Sequence, residues 1–251
     1  MSLPLDKWRG KKVTIAFITT PGPKNDVTFD WACWGEPRIR FAVPPKRGDV
    51  SFIGPAAVPF VLSSDPAVRS REEKRPDGLF VYDLNLEIPG RVVFLWDKPQ
   101  PVNLPLDLAA EPFALSFCVN GAPAKPPLLY AGAVPGSGAS GGVKKRGINA
   151  HPPEHGRTSM DYFLELPAGK PATLSFAAGL RDGSKSDSVL FIVEANGKEL
   201  YRKQLVTPDG WHPAQMDLSP YAGKPLLLSL VVDSDGPFSF DWTAWAEPVI
   251  R

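Results

Sequence analysis

The sequence predicts an all-β chain organised as two β-sandwich units. Three observations carry this prediction. Apolar residues recur mostly with a period of two, which is the alternation of side chains across a strand. The chain holds 29 Pro and 22 Gly in 251 residues, a density that interrupts helical hydrogen-bond ladders and supplies turns. A segment of strand-like character occurs twice, so the chain contains pieces of two related units.

The repeat sets the organisation. Residues 29–39 read FDWACWGEPRI and residues 240–250 read FDWTAWAEPVI. Upstream, Trp8-Arg9-Gly10-Lys11 corresponds to Tyr221-Ala222-Gly223-Lys224, each followed by an apolar run. The first copy opens almost at the amino terminus. The chain is therefore expected to be part of a larger polypeptide. Residues 1–39 are expected either to pair with later strands inside a first sandwich spanning 1–130 or to be the tail of an upstream unit, and the first arrangement is preferred because an isolated tail would expose aromatics and a strand edge.

The individual elements follow in order. Residues 65–73 carry an N-cap Asp65 followed by Pro66 and read as a short helix. Residues 79–88 (LFVYDLNLEI) alternate as a half-buried strand, and Pro89-Gly90 turns the chain into a neighbouring strand at 91–96. Residues 131–143 (AGAVPGSGASGGV) are Gly/Ser-rich and read as a mobile linker, so the boundaries are 1–130, a linker at 131–146, and a second unit at 147–251. In that unit, 162–166 and 172–177 are strands. Residues 189–194 and 199–206 form a hairpin around Asn196-Gly197, a pair suited to the positive φ angles of a type I′ turn. The continuous apolar run 226–232 is a central strand. In the closing segment, Phe238, Phe240, Trp242 and Ala244 share one face, expected to be core, and Asp241 and Trp245 share the other.

Composition excludes several functions. The net charge of +1 calls for no nucleic acid partner, and no apolar run reaches the ~20 residues of a membrane-spanning helix. The start of the chain is not a signal peptide. Two cysteines, Cys33 and Cys118, allow one disulfide without arguing for it. No nucleophile–His–acid set, P-loop or G-x-S-x-G motif appears, and His151 and His155 around Pro152-Pro153-Glu154 match no metal-site spacing. The chain reads as a non-enzyme.

The second unit nonetheless has a recognisable order of motifs: Gly147-Ile148-Asn149-Ala150-His151, a glycine loop at 179–183, the Asn196-Gly197 hairpin, Gly210-Trp211, Met216-Asp217-Leu218-Ser219, and Phe240-Asp241-Trp242 with Trp245. This order resembles the NPCBM-type carbohydrate-binding module, a galactose-binding-like jelly roll found beside glycoside hydrolases. The usual His-Ala after the opening is His151-Pro152 here. The resemblance covers 147–251 and the tail of 1–39, and not 40–130. It implies a non-catalytic domain of a secreted or cell-surface bacterial protein, often with a structural calcium ion, partnered by carbohydrate and by other domains of its parent polypeptide. The candidate sugar contacts are His151, Arg181, Tyr201, Trp211 and Trp245, because sugars stack on exposed aromatics while polar groups take the hydroxyls. Asp182 and Asp187 are the candidate calcium ligands, as hard oxygen donors on a loop. The alternative reading is a structural or protein-interaction sandwich, which expects every aromatic of the repeat to be buried.

Overall fold

The computed structural model describes Trp8 and residues 47–54, 60–64, 69–87, 92–95 and 97–251. The regular structure is almost entirely strand. In chain order the strands are β1 (Arg47–Gly54), β2 (Phe60–Ser63), β3 (Arg69–Lys74), β4 (Phe80–Glu87), β5 (Val92–Leu95), β6 (Gln100–Pro101), β7 (Leu106–Asp107), β8 (Ala114–Val119), β9 (Ala122–Ala124), β10 (Gly132–Ser140), β11 (Val143–His151), β12 (Gly156–Glu165), β13 (Thr173–Leu180), β14 (Val189–Ala195), β15 (Lys198–Leu205), β16 (His212–Asp217), β17 (Pro225–Asp233) and β18 (Thr243–Ile250). No α-helix occurs among the described residues, and none of their segments is a helix long and apolar enough to cross a membrane.

The chain divides into two compact units. The described part of the smaller one is an antiparallel sheet in the order β1-β4-β3. On β4 the expected alternation holds: Tyr82 and Leu84 are buried. The short helix expected at 65–73 is not formed over 69–73. Those residues belong to β3, which pairs with β4 from Arg69↔Asn85 to Lys74↔Phe80, so cross-strand pairing overrides the local capping signal. The strand expected at 91–96 exists as β5, but it pairs with β2 in the larger unit rather than with β4.

The larger unit is a β-sandwich. One sheet runs β10-β11-β18-β13-β16 with β7 added to β18; the other runs β15-β14-β17-β12-β8-β9 with β6 added to β12. β17 lies between β14 and β12, as its unbroken apolar run requires. The β14–β15 hairpin turns at Asn196 (φ 51) and Gly197 (φ 80), the positive angles that this dipeptide tolerates.

Inward residues of both sheets form one core. Its largest fully buried side chain is Trp245, which meets Phe176 of its own sheet at 5.0 Å and 66° and Phe191 of the opposite sheet at 5.2 Å and 71°. Both are edge-to-face contacts, favourable to the ring quadrupole. This reverses the expected parity of the closing segment: Asp241, Thr243 and Trp245 point inward, whereas Phe240 and Trp242 are exposed. The sequence places aromatics on both parities there, so hydrophobicity alone does not choose the core face; the space between Phe176 and Phe191 does.

The Gly/Ser-rich segment is not a linker. Residues 132–140 and 143–151 form the β10–β11 hairpin, so the sandwich does not begin at 147 but recruits much of 92–146 as well, including β8, β9 and part of what was expected as the first unit. β11 pairs with β18 only from Gly147 to Ala150. Beyond that point the hairpin curls across the outer face of β18 and β13. Asp182 N donates to Ala139 O at 2.7 Å, Gly142 N to Asp182 Oδ2 at 3.1 Å, and Trp211 Nε1 to Val143 O at 2.7 Å. Such close layering demands glycine. A Cβ on Gly138 would stand 3.0 Å from Asn149 Oδ1, and one on Gly179 would meet the Trp211 ring at 2.7 Å. The composition that resembles a flexible linker serves backbone contact.

The first copy of the repeat, the pairing of residues 1–39 and the Cys33 end of any Cys33–Cys118 disulfide lie outside the described residues.

Truncating Trp245 removes the contact that joins the two sheets. Trp245→Ala is expected to lower unfolding stability by about 3–5 kcal/mol, measured by urea denaturation. A loss below about 1 kcal/mol would contradict the assigned core position.

Candidate functional site

Three connections meet at one end of the sandwich: 152–155 between β11 and β12, 181–188 between β13 and β14, and 234–242 between β17 and β18. Strand register brings them together. Ala150 and Leu180 both pair with Thr243, so the residues that follow the first two strands and precede the third emerge side by side.

The 238–242 turn is the centre of the site. Asp241 N donates to Phe238 O at 3.2 Å and Trp242 N to Phe240 O at 2.8 Å. Phe240 takes φ 62, a left-handed conformation uncommon for an aromatic residue. The 181–188 loop grips this turn: Arg181 N donates to Trp242 O at 2.7 Å, and Ser184 Oγ to Phe240 O at 2.6 Å. Phe240 and Trp242 are 46% and 38% exposed, with ring centroids 5.6 Å apart at 54°. Lys185 Nζ lies 5.6 Å from the Phe240 centroid, within cation–π range.

Beneath these rings lies Asp241. Its side chain is fully buried, and among the described residues neither carboxylate oxygen makes a hydrogen bond of regular geometry. The Ser186 hydroxyl, also buried, lies near enough to favour the carboxylate form. Burial pushes the Asp241 carboxyl up to about 6; the charge of Asp187 pushes the same way, and the Ser186 hydroxyl opposes both.

The sequence candidates separate into three groups. His151 and Arg181 reach this end. His151 is half-buried, its Nδ1 lies 2.8 Å from Pro152 O, and its ring meets Phe238 edge-on at 5.7 Å. Burial lowers its pKa, partly offset by that carbonyl. The Arg181 stem passes over Gly138, and its guanidinium has no ion-pair or hydrogen-bond partner among the described residues. Asp187 is exposed and acts electrostatically on Asp241.

The second group holds the curled hairpin. Trp211 lies on Gly179 and bonds Val143 O, and Asp182 receives Gly142 N. These are clamps rather than an open sugar platform, and the bond from Gly142 engages one oxygen of the Asp182 carboxylate offered as a calcium ligand. The third group belongs to the core. Trp245 is fully buried and cannot meet a ligand from solvent, and half-buried Tyr201 turns its ring onto Phe176 at 5.1 Å. Sequence reasoning missed Phe240, Trp242 and Ser186 as site residues, and it read Asp241 first as a structural carboxylate and second as a ligand or metal contact. The signal was the repeated Phe-Asp-Trp, read with its faces exchanged.

Calcium is the ion implied by the sequence resemblance. The donors expected for it, Asp182 and Asp187, do not form a set by themselves, and no group of three or more His, Cys, Asp or Glu suited to a metal occurs among the described residues. The orphaned oxygens of Asp241 and Ser186 beside Asp187 do fit calcium in kind, since it takes carboxylate, hydroxyl and carbonyl oxygen.

No family profile matches the sequence. A 37-residue stretch is 57% identical to an uncharacterized protein of Archaeoglobus fulgidus; it spans 15% of this chain and 9% of that protein. Among solved structures, the chain is similar to the CBM51 module of Clostridium perfringens GH95 in complex with methyl-galactose, with 14% identity, 59% of this chain and 99% of that chain covered, and a TM-score of 0.42. It is also similar to tandem CBM51 modules of a family 98 glycoside hydrolase from Streptococcus pneumoniae (9% identity, 82% and 77% covered, TM-score 0.44). A third is the CBM22-1 xylan-binding domain of Paenibacillus barcinonensis Xyn10C (19% identity, 62% and 96% covered, TM-score 0.33).

The Asp241 carboxyl predicts a pH dependence with a definite sign. Its folded value of about 6 lies above the ordinary 3.8, so the fold favours the protonated form. In EDTA this stabilisation is complete below pH 4 and is lost as pH rises through 6, by about 3 kcal/mol in all. Asp241→Asn is therefore expected to be more stable than wild type at pH 7.5 and nearly equal to it at pH 4. Urea denaturation at the two pH values checks this; a pH-independent difference would contradict it.

Proposed function

We propose that the sandwich is a non-catalytic carbohydrate-binding module whose sugar surface is the Phe240–Trp242 turn. The observation that carries this reading is the pair of adjacent, solvent-exposed aromatic rings on a turn that four specific hydrogen bonds hold in place. Exposed aromatic area is disfavoured in water, and the apolar C–H faces of a pyranose ring cover it well. The Arg181 guanidinium, without a partner among the described residues, and the Lys185 ammonium supply donors for sugar hydroxyls at the same loop end. The sandwich presents these groups on a rigid scaffold, the usual division of labour between a core and its loops.

The NPCBM-type assignment is part of this proposal. It rests on the order of motifs from Gly147 to Trp245 and on the antiparallel sandwich that contains them. So is the role of the module as one part of a larger extracytoplasmic protein, with the other parts as its partners. Intact-mass analysis of native material tests that role; a species with the mass of this chain alone would count against it.

The alternative, a purely structural sandwich, expects all aromatics of the repeat to be buried. Trp245 meets that expectation, whereas Phe240 and Trp242 do not, which favours the binding reading.

Fluorescence and calorimetric titration with methyl-galactose, xylo-oligosaccharides and a wider glycan panel is the direct test. Wild type is expected to bind one class of sugar. Trp242→Ala is expected to weaken that binding by about 1–2 kcal/mol, on the order of tenfold, with far-UV circular dichroism unchanged. Absence of binding across the panel would overturn the proposal.

A further inference from the structure

We propose that Tyr130 forms a second sugar subsite beside the Phe240–Trp242 turn, so that the ligand of this surface is an oligosaccharide chain rather than a single sugar. The subsite deepens the carbohydrate reading and rests on it. Among the described residues Tyr130 is the most exposed large apolar side chain, 76% open to solvent, and its neighbour Leu129 follows at 69%. Single exposed apolar residues are ordinary, whereas several of them at one place mark an interaction surface.

Strand register puts Tyr130 at the same end of the sandwich as the aromatic turn. It precedes β10 in the connection from β9. Gly132, the first residue of β10, pairs with His151, the last of β11, and Ala150 pairs with Thr243, the first of β18. The chain entering β10, the chain leaving β11 and the chain entering β18 therefore stand in a row along one sheet, in the order β10-β11-β18. The strands that carry Tyr130 and Trp242 are two spacings apart, roughly 10 Å across the sheet, which is about the length of two linked pyranose rings. Sugars stacked on Trp242 and Tyr130 thus leave room for one between them. At that middle position the His151 ring meets Phe238 edge-on at 5.7 Å, and its Nε2 has no partner among the described residues, so a largely apolar floor offers one polar nitrogen to a sugar hydroxyl.

The backbone gives an independent sign. Among the described residues seven non-glycine residues take positive φ, and only two of them carry a large apolar ring: Tyr130 at φ 57 and Phe240 at φ 62. Asparagine, aspartate and histidine visit this region readily, but a bulky aromatic residue stays there only where the surrounding structure holds it. Both residues of this kind lie at the same end of the sandwich, and both are exposed. The Tyr130 hydroxyl makes no hydrogen bond among the described residues, so no polar anchor accounts for the outward ring. A ring held in water on an unusual backbone, beside two others, supplies a further stacking face for the same chain of sugars.

The experiment titrates the full chain by calorimetry and tryptophan fluorescence with xylo-, galacto-, cello- and chito-oligosaccharides, from the monosaccharide to the hexasaccharide. Within the class that binds, affinity is expected to rise on the order of tenfold between the monosaccharide and the trisaccharide and to change little beyond that length. Tyr130→Ala is expected to lose this gain while keeping the wild-type affinity for the monosaccharide. Tyr130→Phe is expected to retain the gain, because stacking needs the ring and not the hydroxyl. Trp242→Ala is expected to weaken binding at every length, with circular dichroism confirming the fold of each variant. The subsite is overturned if wild type binds the trisaccharide no more tightly than the monosaccharide, or if folded Tyr130→Ala binds the trisaccharide as tightly as wild type does. In either case, monosaccharide binding that persists in wild type and falls in Trp242→Ala leaves the carbohydrate reading standing. Absence of binding at every length overturns the reading and the subsite together.

Discussion

The burial of Trp245 between Phe176 and Phe191 is the contact on which the arrangement of the site depends. It is the largest fully buried side chain of the sandwich and touches both sheets. Strand parity carries this as far back as Thr243, which is inward and donates to Ala150 O at 2.6 Å. Before β18 the chain turns, with Phe240 at φ 62 and Trp242 N bonded to Phe240 O, and this turn puts Asp241 inside and leaves Phe240 and Trp242 facing water. The chemistry of the loop end is thus decided by packing several residues away from it.

The second organising feature is the curled β10–β11 hairpin. It covers the outer face of β18 and β13 at van der Waals distance, and this is possible only where side chains are missing or small: a Cβ on Gly138 would stand 3.5 Å from the Ala244 methyl of β18, and one on Gly179 of β13 would stand 3.2 Å from Ser140 Oγ of the hairpin. Its three anchoring hydrogen bonds come from Asp182, Trp211 and Gly142. Two of the groups that make them belong to residues with good credentials as ligand contacts, an exposed carboxylate and a loop tryptophan. Their engagement with the hairpin separates them from the aromatic turn, which is gripped by Arg181 and Ser184, on either side of Asp182 in the 181–188 loop. That loop therefore serves two structural neighbours, the hairpin through Asp182 and the turn through Arg181 and Ser184.

Much of the fold was legible in the sequence because its signals were local. The Asn196-Gly197 turn, the period-two strand at 80–87 and the unbroken apolar strand at 225–233 each follow from residues within one element. What was not legible depended on partners distant in sequence. The helix signal of Asp65-Pro66 is overridden downstream by β4, and the glycines of 132–147 look like a linker unless the sheet they cover is known. The core face of FSFDWTAW contains aromatics on both parities, so only the ring contacts from β13 and β14 decide it. Of the candidate site, the repeated Phe-Asp-Trp was visible at once. Its division into two exposed rings and one buried carboxylate was not, because no single-sequence pattern shows which of two aromatic faces meets another sheet.

Asp241 joins these threads. Its burial sets a carboxylate behind the turn, between Phe240 and Trp242 in sequence, where desolvation favours the protonated acid. The stability of the loop end is thereby tied to the charge on this one group, falling as the carboxyl ionises. The turn itself is held from outside: Ser184 Oγ and Arg181 N bind the carbonyls of Phe240 and Trp242, the two residues that flank Asp241. The backbone that carries both exposed rings is therefore fixed by the 181–188 loop, while the buried carboxyl between them makes that arrangement sensitive to pH.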